Sequence, residues 1–229
     1  GSMQMILNLA KNTVTKMLQR IEEVIREKQQ GVEVEIQYIA YRNYNMSESE
    51  IIRASGWANN AAAIESFLSG IQADGGMGNE AIELAFWEVN RLLDETEVDV
   101  VVLIGDMPPN TKEEVTQKRA VEFGEAMWKQ SRFGPATYYE EELEKMISKS
   151  KQQESPLPVH TFYVKGFWSA QASPKESFAD IARRTGGETG ELQARAEELT
   201  GIIAVRLLAN IGGDDLVQAY RQKFSYTGI

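Results

Sequence analysis

The sequence predicts an α/β fold, an open and mostly parallel sheet with helices on both faces, formed by one domain over residues 1–229. Three observations predict it. Helical and strand periodicities alternate along the whole chain, as they do in parallel α/β proteins. The run "VDVVVLIGD" is apolar throughout, which marks a central parallel strand covered on both faces. Helix-opening and helix-closing residues fall between the periodic segments, with no internal repeat and no low-complexity linker.

The first element is a long amphipathic helix over residues 5–29. Ile6, Leu9, Ala10, Val14, Met17, Leu18, Ile21 and Ile25 recur at three- and four-residue spacings and form one apolar stripe. It ends at Gly31. "VEVEIQYIAYR" alternates Val32, Val34 and Ile36 with Glu33, Glu35 and Gln37 before turning apolar, which predicts a strand with one wet end. "IIRASGW" fits a short edge strand, residues 61–71 a helix, and "ADGGMGN" a turn. "EAIELAFWEVNRLL" is a second helix with Ile82, Ala85, Phe86, Val89 and Leu93 on one side.

After the apolar strand, "NTKEEV" pairs Thr111 with Glu114 as a capping box. "YYEEELEKMISKS" is helical, its acids read as a solvated face, and "VHTFYV" is a strand. Ser173, Pro174 and Glu176 combine N-cap, first-turn proline and capping box, and that helix stops at "RTGG". The tail, residues 194–224, reads as two helices broken at Gly212 and Gly213. Residues 194–229 form a helical extension on the domain.

Composition removes several classes of function. The net charge of -10 lacks the clustered cations a phosphate-tracking surface needs, so no nucleic acid is expected. The absence of cysteine excludes thiolate chemistry and disulfides, and a cytoplasmic protein without a membrane span is expected. "DGGMGNE" follows a helix and lacks the order of a dinucleotide fingerprint; it also lacks the Gly-Lys-Ser/Thr ending of a Walker loop. His160 is the lone histidine and lies in an apolar strand, where a hydrogen-bonded core role fits better than a base. Trp57, Trp87, Trp128 and Trp168 read as core or loop anchors. Asp106 closes the most apolar strand, at the end where open α/β sheets bind ligands. There it can either satisfy loop amides or hold a divalent cation.

Taken in order, "YIAYRNY", "GGMGNEAIELA", "VVLIGDMPPNT", "TYYEEELEKM", "VHTFYV", "IARRTGG" and "NIGGDDLVQAYRQKF" resemble a von Willebrand factor A-type domain, most of all its intracellular forms in protist and alpha-kinase-associated proteins. The resemblance implies a Rossmann-like sheet and a metal-ion-dependent adhesion site that binds Mg2+. That site begins with Asp-x-Ser/Thr-x-Ser. The opening Gly1-Ser2-Met3 reads either as a cloning remnant or as the tail of this motif, and its register with "QMILNLAKNTV" favours the tail. Carried across by position, Ser2, Asn79 and Asp106 are the metal residues, while the leading Asp and the middle Ser/Thr have no counterpart. Asn79 stands where the family has Thr. The resemblance thus implies a fold lacking its first central strand, with either a gap or a collapse between "VEVEIQYIAYR" and "VDVVVLIGD", and a weakened metal site.

The function expected is a non-enzymatic protein-binding module. A partner's Asp or Glu would complete the Mg2+ shell, and Asn43, Tyr44, Gly76, Met77, Glu80, Met107 and Pro108 would line the rim. The alternative is a Rossmann-like metal-dependent hydrolase using Asp106 and Glu80 as its carboxylate pair.

Overall fold

The computed structural model describes residues 2–28, 34–72, 76–152, 156–164, 173–192 and 196–227. They divide into two compact units, one comprising residues 1–38, 54–73 and 192–229, the other residues 39–53 and 74–191.

The first unit is built on α1 (Ser2–Lys28), α3 (Ala61–Ser69) and α9 (Ala196–Phe224). The apolar stripe of α1 buries Val14, Met17, Leu18, Ile21, Val24 and Ile25. Against α9 it adds polar contacts: Lys223 pairs with Glu23 at 3.1 Å, and the Arg20 guanidinium lies 5.0 Å from the Phe224 ring centre. α9 loses helical geometry at Gly212 and at Gly213, whose φ of 64° is left-handed and suits glycine. The break falls where the sequence puts it.

β1 (Ile36–Tyr41) and β2 (Ile52–Ala58) pair as a two-stranded sheet and contribute residues to both units. Between them lies the short helix α2 (Glu48–Ile51). The second unit holds α4 (Ile82–Leu92), β3 (Val101–Gly105), α5 (Lys112–Val121), α6 (Glu125–Gln130), α7 (Tyr139–Gln152), β4 (Val159–Val164) and α8 (Lys175–Thr185). β5 (Thr189–Leu192) completes a second sheet in the order β3-β4-β5, with β3 and β4 parallel from Val101↔Val159 to Gly105↔Tyr163.

The protein is therefore mixed α/β with a small parallel sheet. Among the described residues the single open sheet expected from the sequence is instead two sheets, and β3 is an edge strand where a central one was expected. Burial follows: of its five residues only Leu103 is buried. The Tyr41 hydroxyl, at the end of β1, donates to the Ile104 carbonyl of β3 at 3.0 Å. An edge strand's backbone groups need partners from somewhere, and here one comes from a tyrosine.

α4 is buried on nearly all sides because it lies between two apolar clusters. Ile82, Phe86 and Val89 face Leu103, Val159, Phe178 and Ile181, whereas Leu84 and Ala85 face Tyr44, Ile51, Val115 and Trp128. This is why an acid on α4 such as Glu83, 0 % exposed, ends up inside. Glu142 on α7 is also buried, against the solvated face expected there, and accepts from Asn90 Nδ2 at 2.8 Å and Lys145 Nζ at 2.6 Å. The opening of α8 departs from expectation too. The helix begins at Lys175, and Ser173 Oγ accepts only the Lys175 amide at 3.3 Å, with no return bond from Glu176 among the described contacts.

Candidate functional site

The carboxyl ends of β1 and β3 bring three loops together. Backbone bonds lock them: the Glu80 amide donates to Pro108 O at 3.0 Å, the Asn110 amide to Glu80 O at 3.0 Å, and the Ala81 amide to Arg42 O at 3.2 Å. Residue 80 thereby bridges to Pro109 as a one-residue parallel ladder beyond the end of β3. The Gly-rich turn supplies the geometry this demands, with Gly76 at φ 137°, Met77 at 68° and Gly78 at 71°. For Met77 a left-handed φ is costly, on the order of 1–3 kcal/mol, so the surrounding bonds must hold it there.

Side chains tie the same loops underneath. Asn43 Nδ2 donates to the Asn79 carbonyl, Asn79 Nδ2 to Glu114 Oε2 at 2.8 Å, and Asn110 Nδ2 to Glu83 Oε1 at 3.0 Å. The capping box read from the sequence is present: the Glu114 amide donates to Thr111 Oγ1 at 3.2 Å and the Thr111 amide to Glu114 Oε2 at 2.8 Å. Glu114 Oε2 thus serves both the helix start and Asn79.

Of the residues singled out in the sequence, Gly76, Met77, Asn79, Glu80, Asp106, Met107 and Pro108 lie on these loops at partial or full exposure. Asn43 and Tyr44 belong to the same cluster but are 3 % and 0 % exposed. They are the floor and not the rim, because Tyr44 stacks edge-on against Trp128 at 5.2 Å and Asn43 Oδ1 accepts the Tyr44 amide at 3.0 Å. Ser2 opens α1 in the other unit, and its side chain lies outside the described residues, as does Trp168. His160 is a core residue whose Nδ1 accepts the Glu188 amide at 3.1 Å.

The acids here are pushed toward their neutral forms. Burial, reinforced by Asp106, raises Glu80 from its ordinary 4.5 to about 8. Burial raises Glu83 to about 7 against the opposing hydrogen bond from Asn110, and it raises Asp106 as well. Tyr44 and Glu83 are buried electrostatic neighbours.

Sequence reading missed Lys118 and Glu83, and it read Glu114 only as a helix cap. The signal for Lys118 was present, since Val115, Lys118 and Arg119 share one helical face and that face is buried. For a divalent ion the described donors are poor. Asn79 spends its side-chain nitrogen on Glu114 and its backbone carbonyl on Asn43 and Lys118, leaving its side-chain oxygen and the Asp106 and Glu80 carboxylates. Among the described residues no group of three or more His, Asp or Glu is placed to hold a metal. No described helix is long and apolar enough to cross a membrane. Compared with known proteins, the chain matches no family model and no curated sequence.

Proposed function

We propose that the chain is a non-enzymatic protein-binding module whose contact face is the loop cluster at the carboxyl ends of β1 and β3. The observation that carries this reading is the cross-bonding of those loops, which fixes Met77, Glu80, Asp106, Met107 and Pro108 as one prearranged surface. Prearranged loops lose little freedom on binding, and this favours affinity.

The partner residue in this reading is an Asp or Glu, held through a Mg2+ ion on Asp106 with Glu80 beside it. The support is electrostatic. Asp106 and Glu80 are partly buried carboxylates that oppose each other, and Lys118 offsets the charge of Glu80 only in part, so a cation between module and partner relieves both. Calorimetric titration with Mg2+, alone and then with a glutamate-rich peptide, tests it. Saturable Mg2+ binding that Asp106→Ala abolishes is expected; equal binding by wild type and Asp106→Ala overturns the metal-bridged reading.

One observation favours a second reading, a hydrolase using Glu80 and Asp106. A carboxyl raised to about 8 can give up or take a proton near neutrality. It predicts turnover of phosphoester or peptide substrates that disappears in Glu80→Gln, and the module reading predicts none in either protein.

A further inference from the structure

Beneath the loops lies a positive charge belonging to the chain itself. Lys118, 7 % exposed, enters from the inner face of α5. Its ammonium donates to Asn110 Oδ1 at 2.6 Å and to the Asn79 carbonyl at 2.7 Å, and it reaches Asn43 Oδ1 at 3.5 Å. One oxygen comes from each of the loops that form the face. Around this ring lie the carboxylates of Glu114, Glu83 and Glu80, each favouring the charged ammonium against the burial that disfavours it.

A ring of carbonyl-type oxygens inside an anionic shell is how proteins hold a bound cation, and here the occupant is tethered. The size of the ring agrees with an ammonium. Its two close contacts have the length of strong N–H···O bonds, whereas Mg2+ requires oxygens at about 2.0–2.1 Å in near-octahedral order. The geometry also explains the polar floor. Asn43, Asn79 and Asn110 turn oxygens toward Lys118 and use their amide nitrogens to bind one another or the neighbouring acids: Asn43 Nδ2 goes to the Asn79 carbonyl, Asn79 Nδ2 to Glu114 and Asn110 Nδ2 to Glu83.

We infer that Lys118 is the resident cation of this site, holding the three loops in register without a metal, and that the ring accepts a free ammonium-class cation once the side chain is removed. This deepens the reading of the loop face as a binding surface and rests on it only for its biological meaning. The inner cation position is permanent, and exchange with solvent ions is confined to the outer position at Asp106.

The test is Lys118→Ala melted in equal concentrations of ammonium, propylammonium, tetramethylammonium and magnesium chlorides. The substitution lowers the melting midpoint by on the order of 10 °C, because it leaves buried acceptors and acids uncompensated. Ammonium and propylammonium restore part of that loss saturably; tetramethylammonium does not, wild type responds to none of the ammonium salts, and any shift with Mg2+ is the same in wild type and variant because it arises at Asp106. An identical response to all four salts, or none to any, overturns the proposal. Should Lys118→Ala not fold, Lys118→Met keeps the stem, and hydrogen exchange at the Glu80 and Asn110 amides accelerates by roughly tenfold or more if the ammonium holds the loops. Unchanged exchange there overturns it. In wild type the same two amides exchange at one rate with and without EDTA; acceleration by EDTA means that a metal holds the loops and removes Lys118 from the role. No partner is present in these measurements, so a missing Mg2+ site at Asp106 defeats the metal-bridged reading and leaves this one standing.

Discussion

β3 and β4 are neighbours of similar apolar content with opposite surroundings. Every residue of β4 is buried although "VHTFYV" carries a histidine and a threonine, whereas the purely apolar "VVLIG" of β3 is buried only at Leu103. The order β3-β4-β5 explains the contrast, since β4 has a strand on either side and β3 has one. Polar groups inside β4 are met by backbone partners: Thr161 Oγ1 donates to Phe178 O at 2.9 Å, and His160 Nδ1 accepts the Glu188 amide at 3.1 Å. Depth in this sheet is set by the number of flanking strands and not by the hydrophobicity of the strand itself.

The contrast is sharpest at the register pair Ile104↔Phe162. Phe162→Ala is expected to cost about 3–5 kcal/mol, as for a fully enclosed aromatic, and Ile104→Ala only about 1–2 kcal/mol because its site is half open. Denaturant unfolding measures both, and equal losses would break the comparison. A smaller effect belongs to Gly105→Ala. A Cβ there meets the Tyr41 hydroxyl and lies 3.1 Å from Phe178 Cζ, so overpacking by about 1–3 kcal/mol is expected. Combining it with Tyr41→Phe should recover part of the loss, and strict additivity would show that the tyrosine does not fill the edge of β3.

Tyr41→Phe alone removes the donor to Ile104 O and is expected to cost about 1 kcal/mol, with faster amide exchange confined to β3. The effect of Glu80→Gln, beside the ladder that prolongs β3, depends on pH and is smallest at low pH. Glu80 is raised from 4.5 to about 8, so its protonated form favours the folded state; that stability is fully present below about 4.5 and is lost as pH rises through about 8. The variant should match wild type below about pH 4.5, gain on it as pH rises from about 4.5 to about 8, and hold a constant difference above that. A difference that runs the other way contradicts the burial of Glu80.

Much of the secondary structure was legible because it is local. The stripe of α1, the capping box at Thr111 and the break at Gly212 and Gly213 are each specified within a few residues. The sheet was not legible, because an apolar run states that a strand is covered without stating by what. β3 is covered in part by Tyr41, whose role depends on a contact 63 residues away in sequence. The loop face was half legible. Asp106 was found from its place after an apolar strand, Glu80 from the Gly-rich turn and Asn79 only from the family resemblance, but Lys118 and Glu83 sit within helices whose other residues spell a core, and only folding reveals that those two charges share a polar floor.

The one-residue ladder at Glu80 links what would otherwise be separate movements. Its carbonyl and amide are both committed to the segment after β3, and the next amide is committed to the segment after β1. Two residues further on, α4 begins and runs between both apolar clusters. A ligand that displaced the Met107–Pro108 loop would therefore drag the first turn of the central helix with it, so that occupancy at the surface is felt as a repacking deep inside.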